Sequence, residues 1–178
     1  MKNDVSDSGD FSYGLNDAGN GIVIRRYSGG GVVVIPSVIG DLPVVEIGER
    51  AFGGSRITSV VIPGGVTAAG WGAFSGCGSL TTVWFPDTVE TIGMYAFSGA
   101  ASLHTVNLPA GLKRIGFEAF GGAGGLYNLA IPGGLTAVKW TDLGGDGENP
   151  GNHAFEGCGR LGPETRRRLR DLGYTGEF

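Results

Sequence analysis

Apolar and polar positions alternate in short runs that recur along the chain. Each run has the pattern L-x-x-V-x-L, an apolar anchor followed by period-2 alternation, which predicts a short β-strand with one buried face. The pattern occurs four times, at Ile57, Val60 and Ile62, at Leu80, Val83 and Phe85, at Leu103, Val106 and Leu108, and at Leu126, Leu129 and Ile131.

Two further landmarks give these runs a fixed period. An Ala-Phe pair precedes each predicted strand and a proline closes it, because proline has no N–H to continue a sheet ladder. The landmarks are Phe52, Phe74, Phe97 and Phe120 for the pairs, 22 or 23 residues apart, and Pro63, Pro86, Pro109 and Pro132 for the prolines, 23 residues apart. A fixed period of this length indicates a repeat architecture.

A second apolar stretch follows each proline and supplies the other wall of a core. Its positions are Val66, Val89, Leu112 and Leu135, then Ile92, Ile115 and Val138, with Gly70, Gly93 and Gly116 next. We expect these glycines to need a positive φ or a close approach of two backbones. One unit cannot bury its own apolar face, so the copies must stack. The sequence therefore predicts a mainly β repeat solenoid with short strands and turns and about five stacked strands.

The two ends of the chain depart from the repeat and predict three regions. Residues 1–43 read as an N-terminal cap and an atypical first repeat, because YSGGGVVVIP closes like the other units but the next proline follows 27 residues later. Residues 44–161 form the solenoid with period 23. Residues 162–178 hold a short capping helix and tail, with Pro163 in its first turn and Leu169 and Leu172 available to one side.

The last copy contains a polar insertion. Asp142 and Leu143 align with Ala-Phe, and DGENPGN then precedes a returning HAFEGCGRL. The stretch from Asp142 to Asn152 gathers oxygen ligands that would suit Ca²⁺, but its spacing matches no calcium loop, so a solvated loop is favoured. No catalytic triad or metal-ligand spacing occurs, so we expect no catalytic residue, no metal and no cofactor.

Composition and charge argue against some classes of binding partner. The chain has 178 residues, of which 41% are hydrophobic, enough for one core, and its 36 glycines fall at fixed places in the repeat. The formal net charge of -4 argues against nucleic acid as the main partner. No apolar run approaches the roughly 20 residues that cross a bilayer, so no transmembrane segment is expected, and the N-terminus shows no signal peptide.

The two cysteines occupy the same slot of different copies. Copies three or more apart in a stack lie about 15 Å or more from each other, whereas a disulfide needs Cα atoms within about 7 Å. We therefore expect Cys77 and Cys158 to be unpaired, buried thiols.

At the level of whole units, the stretch AFSGCGSLTTVWFPDTVETIGMYAF resembles the BspA-like, or treponemal-type, leucine-rich repeat, in which A-F-x-x-C-x-x-L-x-x-V-x-I-P-x-x-V-x-x-I-G recurs. The resemblance covers roughly residues 30 to 161. It implies a leucine-rich-repeat-like solenoid on bacterial surface, periplasmic or secreted proteins. It also implies a non-enzymatic role in protein binding, with adhesin-like contacts to host-matrix or cell-surface proteins. The alanines at 100 and 123 depart from the cysteine of the family pattern.

Two exposed series are the candidate partner-binding residues. Alternation turns Val34, Val61, Trp84, Asn107 and Ala130 to one face, so a patch at Val61 and Trp84 is a candidate contact. The slot two residues before Ala-Phe holds Trp71, Met94, Phe117 and, by alignment, Trp140, with Tyr95 adjacent. These side chains either fill gaps over the glycine turns or form an exposed apolar strip, which we expect to be the main contact surface.

A basic cluster, RRRLR at residues 166–170, could contact a phosphate, an acidic protein or a membrane surface, but the solvated face of a capping helix is favoured.

Two functions remain open for the whole chain. The first is a protein-protein interaction module, and the second is a self-assembly protein whose apolar ladder makes it a homo-oligomer. A stable oligomer at low micromolar concentration would indicate the second.

Overall fold

Short strands alternate with turns throughout the computed structural model, which describes residues 10–135, 138–140 and 153–178. The strands are β1 (Phe11–Leu15), β2 (Ile22–Tyr27), β3 (Gly30–Val34), β4 (Val38–Ile39), β5 (Leu42–Ile47), β6 (Arg56–Val61), β7 (Ala68–Ala69), β8 (Thr82–Trp84), β9 (Thr91–Ile92), β10 (Thr105–Asn107), β11 (Arg114–Ile115), β12 (Asn128–Ala130) and β13 (Lys139–Trp140), and the helix is α1 (Pro163–Asp171).

The strands build two sheets that share one hydrophobic core. The first sheet has the order β1-β2-β5-β7-β9-β11-β13, with β4 beside β5, and the second has the order β3-β6-β8-β10-β12. Pairings between successive copies are parallel, whereas the hairpins β1–β2 and β4–β5 are antiparallel. Each turn thus gives one strand to each sheet, and the predicted β-solenoid of about five turns is confirmed.

The register of the second sheet follows the 23-residue period. Val60 pairs with Val83, Val83 with Val106, and Val106 with Leu129. All four side chains are buried, and their neighbours in sequence point the other way. The period-2 pattern therefore identified the buried face of these strands correctly.

A column of stacked phenylalanine rings runs through the core. Neighbouring ring centroids are 4.9 to 5.2 Å apart, and the last three pairs are within 9° of parallel. The members are Phe52, Phe74, Phe97, Phe120 and Phe155, each at most 1% exposed. The Ala-Phe pair of every described copy thus places one ring over the ring of the copy before it.

The glycine that follows the second apolar stretch marks a close backbone contact. A Cβ atom built on Gly93 would lie 2.7 Å from the carbonyl carbon of Gly70, and one built on Gly70 would lie 3.0 Å from the Ile47 oxygen. Gly70, Gly93 and Gly116 all have ordinary φ values. Close approach, and not a positive φ, explains this glycine.

The N-terminal end of the solenoid is closed by the β1–β2 hairpin. Ile22 and Ile24 are buried, and the rings of Phe11 and Tyr27 contact Phe52 at centroid distances of 6.4 and 5.1 Å. The hairpin covers the first apolar face, although the sequence did not predict its antiparallel pairing.

Helix α1 closes the other end, as predicted. Leu169 and Leu172 are buried with Tyr174, whose ring lies edge-on against Phe155 at 5.6 Å. The hydroxyl of Tyr174 accepts a hydrogen bond from the Phe155 N–H and donates one to the Glu177 carbonyl. The cap therefore ends the phenylalanine column with a polar aromatic ring.

The last copy departs from the predicted alignment. Trp140 pairs with Ile115, so it does not take the position next to Phe117 that the spacing suggested. The predicted alignment places Lys139 in the close-packed glycine position, where a Cβ atom does not fit. The observed register of β13 on β11 is displaced from that alignment by two residues. Asp142 and Leu143, like the rest of the insertion, lie outside the described residues. Ala154 and Phe155 supply the Ala-Phe pair that follows Ala119 and Phe120.

Candidate protein-binding surface

The outer side of the second sheet carries a group of exposed apolar residues. Val34, Val61 and Trp84 lie in one row across β3, β6 and β8, as predicted, and Val32 lies beside them in the next row. Their exposed fractions are 65%, 47%, 58% and 72% for Val34, Val61, Trp84 and Val32. We name these four residues the sheet face.

The sheet face ends where the strands become polar. The next residue in the row is Asn107, whose side chain donates to the Phe85 carbonyl and accepts from the Phe85 N–H, both at 2.9 Å. This pair of bonds satisfies the backbone where β8 leaves the sheet. The second row continues as Ser59, Thr82 and Thr105, so exposed apolar residues concentrate in the first three strands.

The predicted ladder of large side chains is half-buried. Trp71, Met94, Tyr95 and Phe117, here named the turn cluster, are each partly exposed. Tyr95 packs edge-on against both Trp71 and Phe117, at centroid distances of 6.0 and 5.6 Å. The side chain of Trp140, placed in this series by alignment, lies outside the described residues. The cluster thus covers the glycine turns in part and presents the remainder to solvent.

In four copies of the repeat, the residue just before the Ala-Phe pair, in and beside the turn cluster, has a left-handed backbone conformation. Arg50, Tyr95 and Glu118 have φ values of 50°, 57° and 46°, at the position that Gly72 fills in its own copy with φ 57°. A residue with a Cβ atom in this region costs roughly 1 kcal/mol or more. The guanidinium of Arg50 lies 4.3 Å above the Trp71 ring, a cation–π contact that holds its side chain in place. Sequence spacing had not identified this slot.

The basic cluster of the helix contacts the solenoid. Arg168 donates to the carbonyls of Leu135 at 2.6 Å and Gly133 at 3.4 Å, and Arg166 donates to those of Leu161 and Gly159 at 2.8 and 2.6 Å. These carbonyls belong to the last copies of the repeat, so the arginines hydrogen-bond to backbone groups at the end of the solenoid. This contact was not foreseen, because the favoured interpretation left the arginines in solvent.

The two cysteine thiols lie in the core of the solenoid. Cys77 and Cys158 are both free and buried, and their thiols donate to the carbonyls of Phe52 and Phe120. Burial raises the pKa of the Cys158 thiol to about 12 and also raises the pKa of Cys77, so both are protonated at neutral pH. Within the described residues, no three potential ligands converge on a metal position, and no helix is long and apolar enough to cross a bilayer.

Comparison with known proteins agrees with this geometry. Residues 37–141 match a family model described as the BspA type leucine rich repeat region, in 6 copies. A leucine-rich repeat protein from Bacteroides ovatus is 30% identical, with a TM-score of 0.63 over 85% of this chain and 44% of that one. One from Bacteroides capillosus is 25% identical, with a TM-score of 0.62 over 70% of this chain and 96% of that one.

A leucine rich cell surface protein from Faecalibacterium prausnitzii shares the fold, with a TM-score of 0.57, 24% identity, and coverage of 87% of this chain and 52% of that one. No curated protein sequence matches the chain significantly.

Proposed function

Because the chain belongs to the BspA-type leucine-rich repeat family, we propose that it is a non-enzymatic module that binds partner proteins. The proposal places the main contact on the sheet face and a further contact on the turn cluster. Repeat solenoids offer extended rigid surfaces of this kind, built from side chains that the core does not use.

One observation carries the proposal. The four residues of the sheet face are 47% to 72% exposed and lie on three adjacent strands, about 10 Å across at the usual strand spacing. A contiguous apolar patch that contains tryptophan is typical of interfaces, whereas single exposed apolar residues are common on any surface. The turn cluster ranks second because its side chains are already half-buried against one another.

The family resemblance supports a setting at the cell surface, in the periplasm or outside the cell. Host-matrix proteins and proteins of other cell surfaces are then the candidate partners, and an adhesin-like role follows. The net charge of -4 is compatible with protein partners and unfavourable for nucleic acid.

The test compares the natural chain with the double variant Val61→Ser and Trp84→Ser in binding to a panel of purified matrix glycoproteins. We expect affinity for any bound partner to fall at least about tenfold, since buried tryptophan anchors contribute about 2 kcal/mol or more to interfaces. The matched control is Leu15→Ser, at an apolar residue 52% exposed on β1 of the other sheet. Equal binding by all three proteins would contradict the proposal.

Self-assembly is the second candidate. Among the described residues, β3 pairs only with β6, so the sheet face extends to an edge strand that another copy of the chain is able to extend. Sedimentation at low micromolar concentration separates the two functions, because only self-assembly predicts a stable oligomer that the Val61→Ser, Trp84→Ser variant dissociates.

A further inference from the structure

A basic groove lies beside the first full copy of the solenoid. It has a volume of about 930 Å³, and its lining includes Gly29 and Gly30 at the start of β3 and Gly53 and Gly54 in the turn before β6. Four arginines from three separate segments line it, namely Arg25, Arg26, Arg50 and Arg56. In a chain of net charge -4, this concentrates almost a third of the 13 cationic side chains at one place.

These arginines are free to meet an anion. All four are exposed, and within the described residues none forms an ion pair. Arg25 donates to the Leu15 carbonyl and Arg50 stacks on Trp71, while Arg26 and Arg56 have no hydrogen-bonded acceptor in the part of the chain that the structure describes. The capping arginines of α1 differ, since Arg166 and Arg168 bind carbonyls.

Acidic groups compensate only part of this charge. Glu49 lines the groove, and Asp10 lies near its rim, where burial and, to a smaller extent, the Asp10 charge raise the pKa of Tyr27. Glu46 lies near Arg25 as well, so four guanidinium groups face three carboxylates and the groove stays positive. One guanidinium group binds one carboxylate through two parallel hydrogen bonds, so a ligand with several carboxylates suits the site.

The strand that leaves the groove favours a peptide over a polysaccharide. Gly30 lines the groove and begins β3, and Val32 follows about 7 Å further along the strand. The Ile35 N–H donates to the Val61 carbonyl, so by alternation the N–H and C=O groups of Val32 and Val34 face away from β6. A peptide backbone complements those groups, and its apolar side chains complement the exposed valines.

We propose that the groove and the free edge of β3 together bind an extended peptide segment of a protein partner, with acidic residues in the groove and apolar residues alternating along β3. The proposal rests on the proposed protein-binding function and adds the chemistry of the partner. The acidic residues of the peptide set its register along β3. Pairing of the peptide backbone with β3 supplies affinity that increases with the length of the peptide.

The test measures fluorescence anisotropy of a labelled peptide EEEEVTVTVT against the full chain, with QQQQVTVTVT and EEEEGSGSGS as matched peptides. The groove variant is Arg26→Glu with Arg56→Glu. The control variant is Arg114→Glu with Arg167→Glu, which changes the net charge by the same amount at two exposed arginines outside the groove lining. Thermal unfolding checks that both variants fold.

We expect the groove variant to bind EEEEVTVTVT at least about tenfold more weakly, with the control within about twofold. Both altered peptides should also bind more weakly than EEEEVTVTVT. No binding at 1 mM, equal losses in the two variants, or unchanged affinity for EEEEGSGSGS would overturn the proposal. Groove-dependent binding of a heparin octasaccharide without binding of the peptide would overturn it in favour of a polysaccharide.

Failure of the peptide site can be distinguished from failure of the proposed protein-binding function. Partner binding that is lost in Val61→Ser, Trp84→Ser but retained in Arg26→Glu, Arg56→Glu would leave the protein-binding function standing and remove the peptide site.

Discussion

At Gly93 the backbones of two successive copies meet so closely that no side chain fits between them. The same contact recurs at Gly70 and Gly116, which explains why every regular copy ends its second apolar stretch in glycine. The residue type is therefore fixed by stacking distance and not by turn conformation.

Gly93→Ala should destabilise the fold by about 2 to 3 kcal/mol, since the added methyl group overlaps the Gly70 carbonyl group and the copies must separate. Urea unfolding followed by circular dichroism measures the change. The matched control is Gly78→Ala, where a Cβ atom meets nothing within 4 Å and φ is not positive.

The control should be neutral or stabilise by about 0.5 kcal/mol, because alanine restricts the unfolded chain. Similar free energies of unfolding for the two variants would show that the copies tolerate wider spacing than the structure indicates.

Among the elements, α1 closes the solenoid by burying leucines on one side and by donating hydrogen bonds from arginines near its edge. A solenoid end exposes both apolar surface and unpaired backbone groups, and a cap must satisfy both. Arg168 supplies the polar part, because its guanidinium reaches the carbonyls of Leu135 and Gly133.

Arg168→Ala should lower the free energy of unfolding by about 1 to 2 kcal/mol, the usual value of a hydrogen bond to a charged donor at a partly buried site. Arg167→Ala is the matched control, since Arg167 makes only a 3.9 Å exposed contact with Glu164 and should change stability by less than about 0.5 kcal/mol. Equal losses in the two variants would mean that the positive charge on α1, and not the carbonyl contact, is what the substitution removes.

The regular elements could be read from the sequence because each copy repeats the same physical constraint. Apolar alternation placed Val83 and Val106 in the core and Trp84 outside, and the register agrees at every one of these positions. The last copy could not be aligned by spacing alone. A lysine falls where the stack requires glycine, and the strand pairs at a register that no period predicts.

At the scale of the whole molecule, the groove adjoins both apolar features of the surface. Arg50 stacks on Trp71 of the turn cluster and lines the groove, and Gly30 lines the groove and leads into the sheet face. The groove therefore adjoins one end of the turn cluster and the first strand of the sheet face. Sequence analysis identified the two apolar features, since each repeats with the period.

The groove was missed for a physical reason. Its arginines come from β2, from the Ala-Phe turn and from the start of β6, so they occupy no common repeat slot and form no basic run along the chain. Only the stacking of the first copies against the hairpin brings them together. A site assembled from different slots of different segments carries no periodic signal.

The remaining prediction concerns how the turn cluster divides between folding and binding. Trp71 and Phe117 are partly exposed and pack through Tyr95, so the double variant Trp71→Ser and Phe117→Ser should lose about 1 to 2 kcal/mol per site, roughly half the cost at a fully buried aromatic. The fold should survive, because neither side chain belongs to the core cluster. Urea unfolding and partner affinity are measured on the same samples.

Affinity should fall less than in Val61→Ser, Trp84→Ser, since the turn cluster has less surface left to bury against a partner. A variant that unfolds at room temperature would place the cluster in the core and remove it from the contact surface. A variant of unchanged stability that no longer binds would make the turn cluster, and not the sheet face, the main contact, because its side chains would then act on the partner alone.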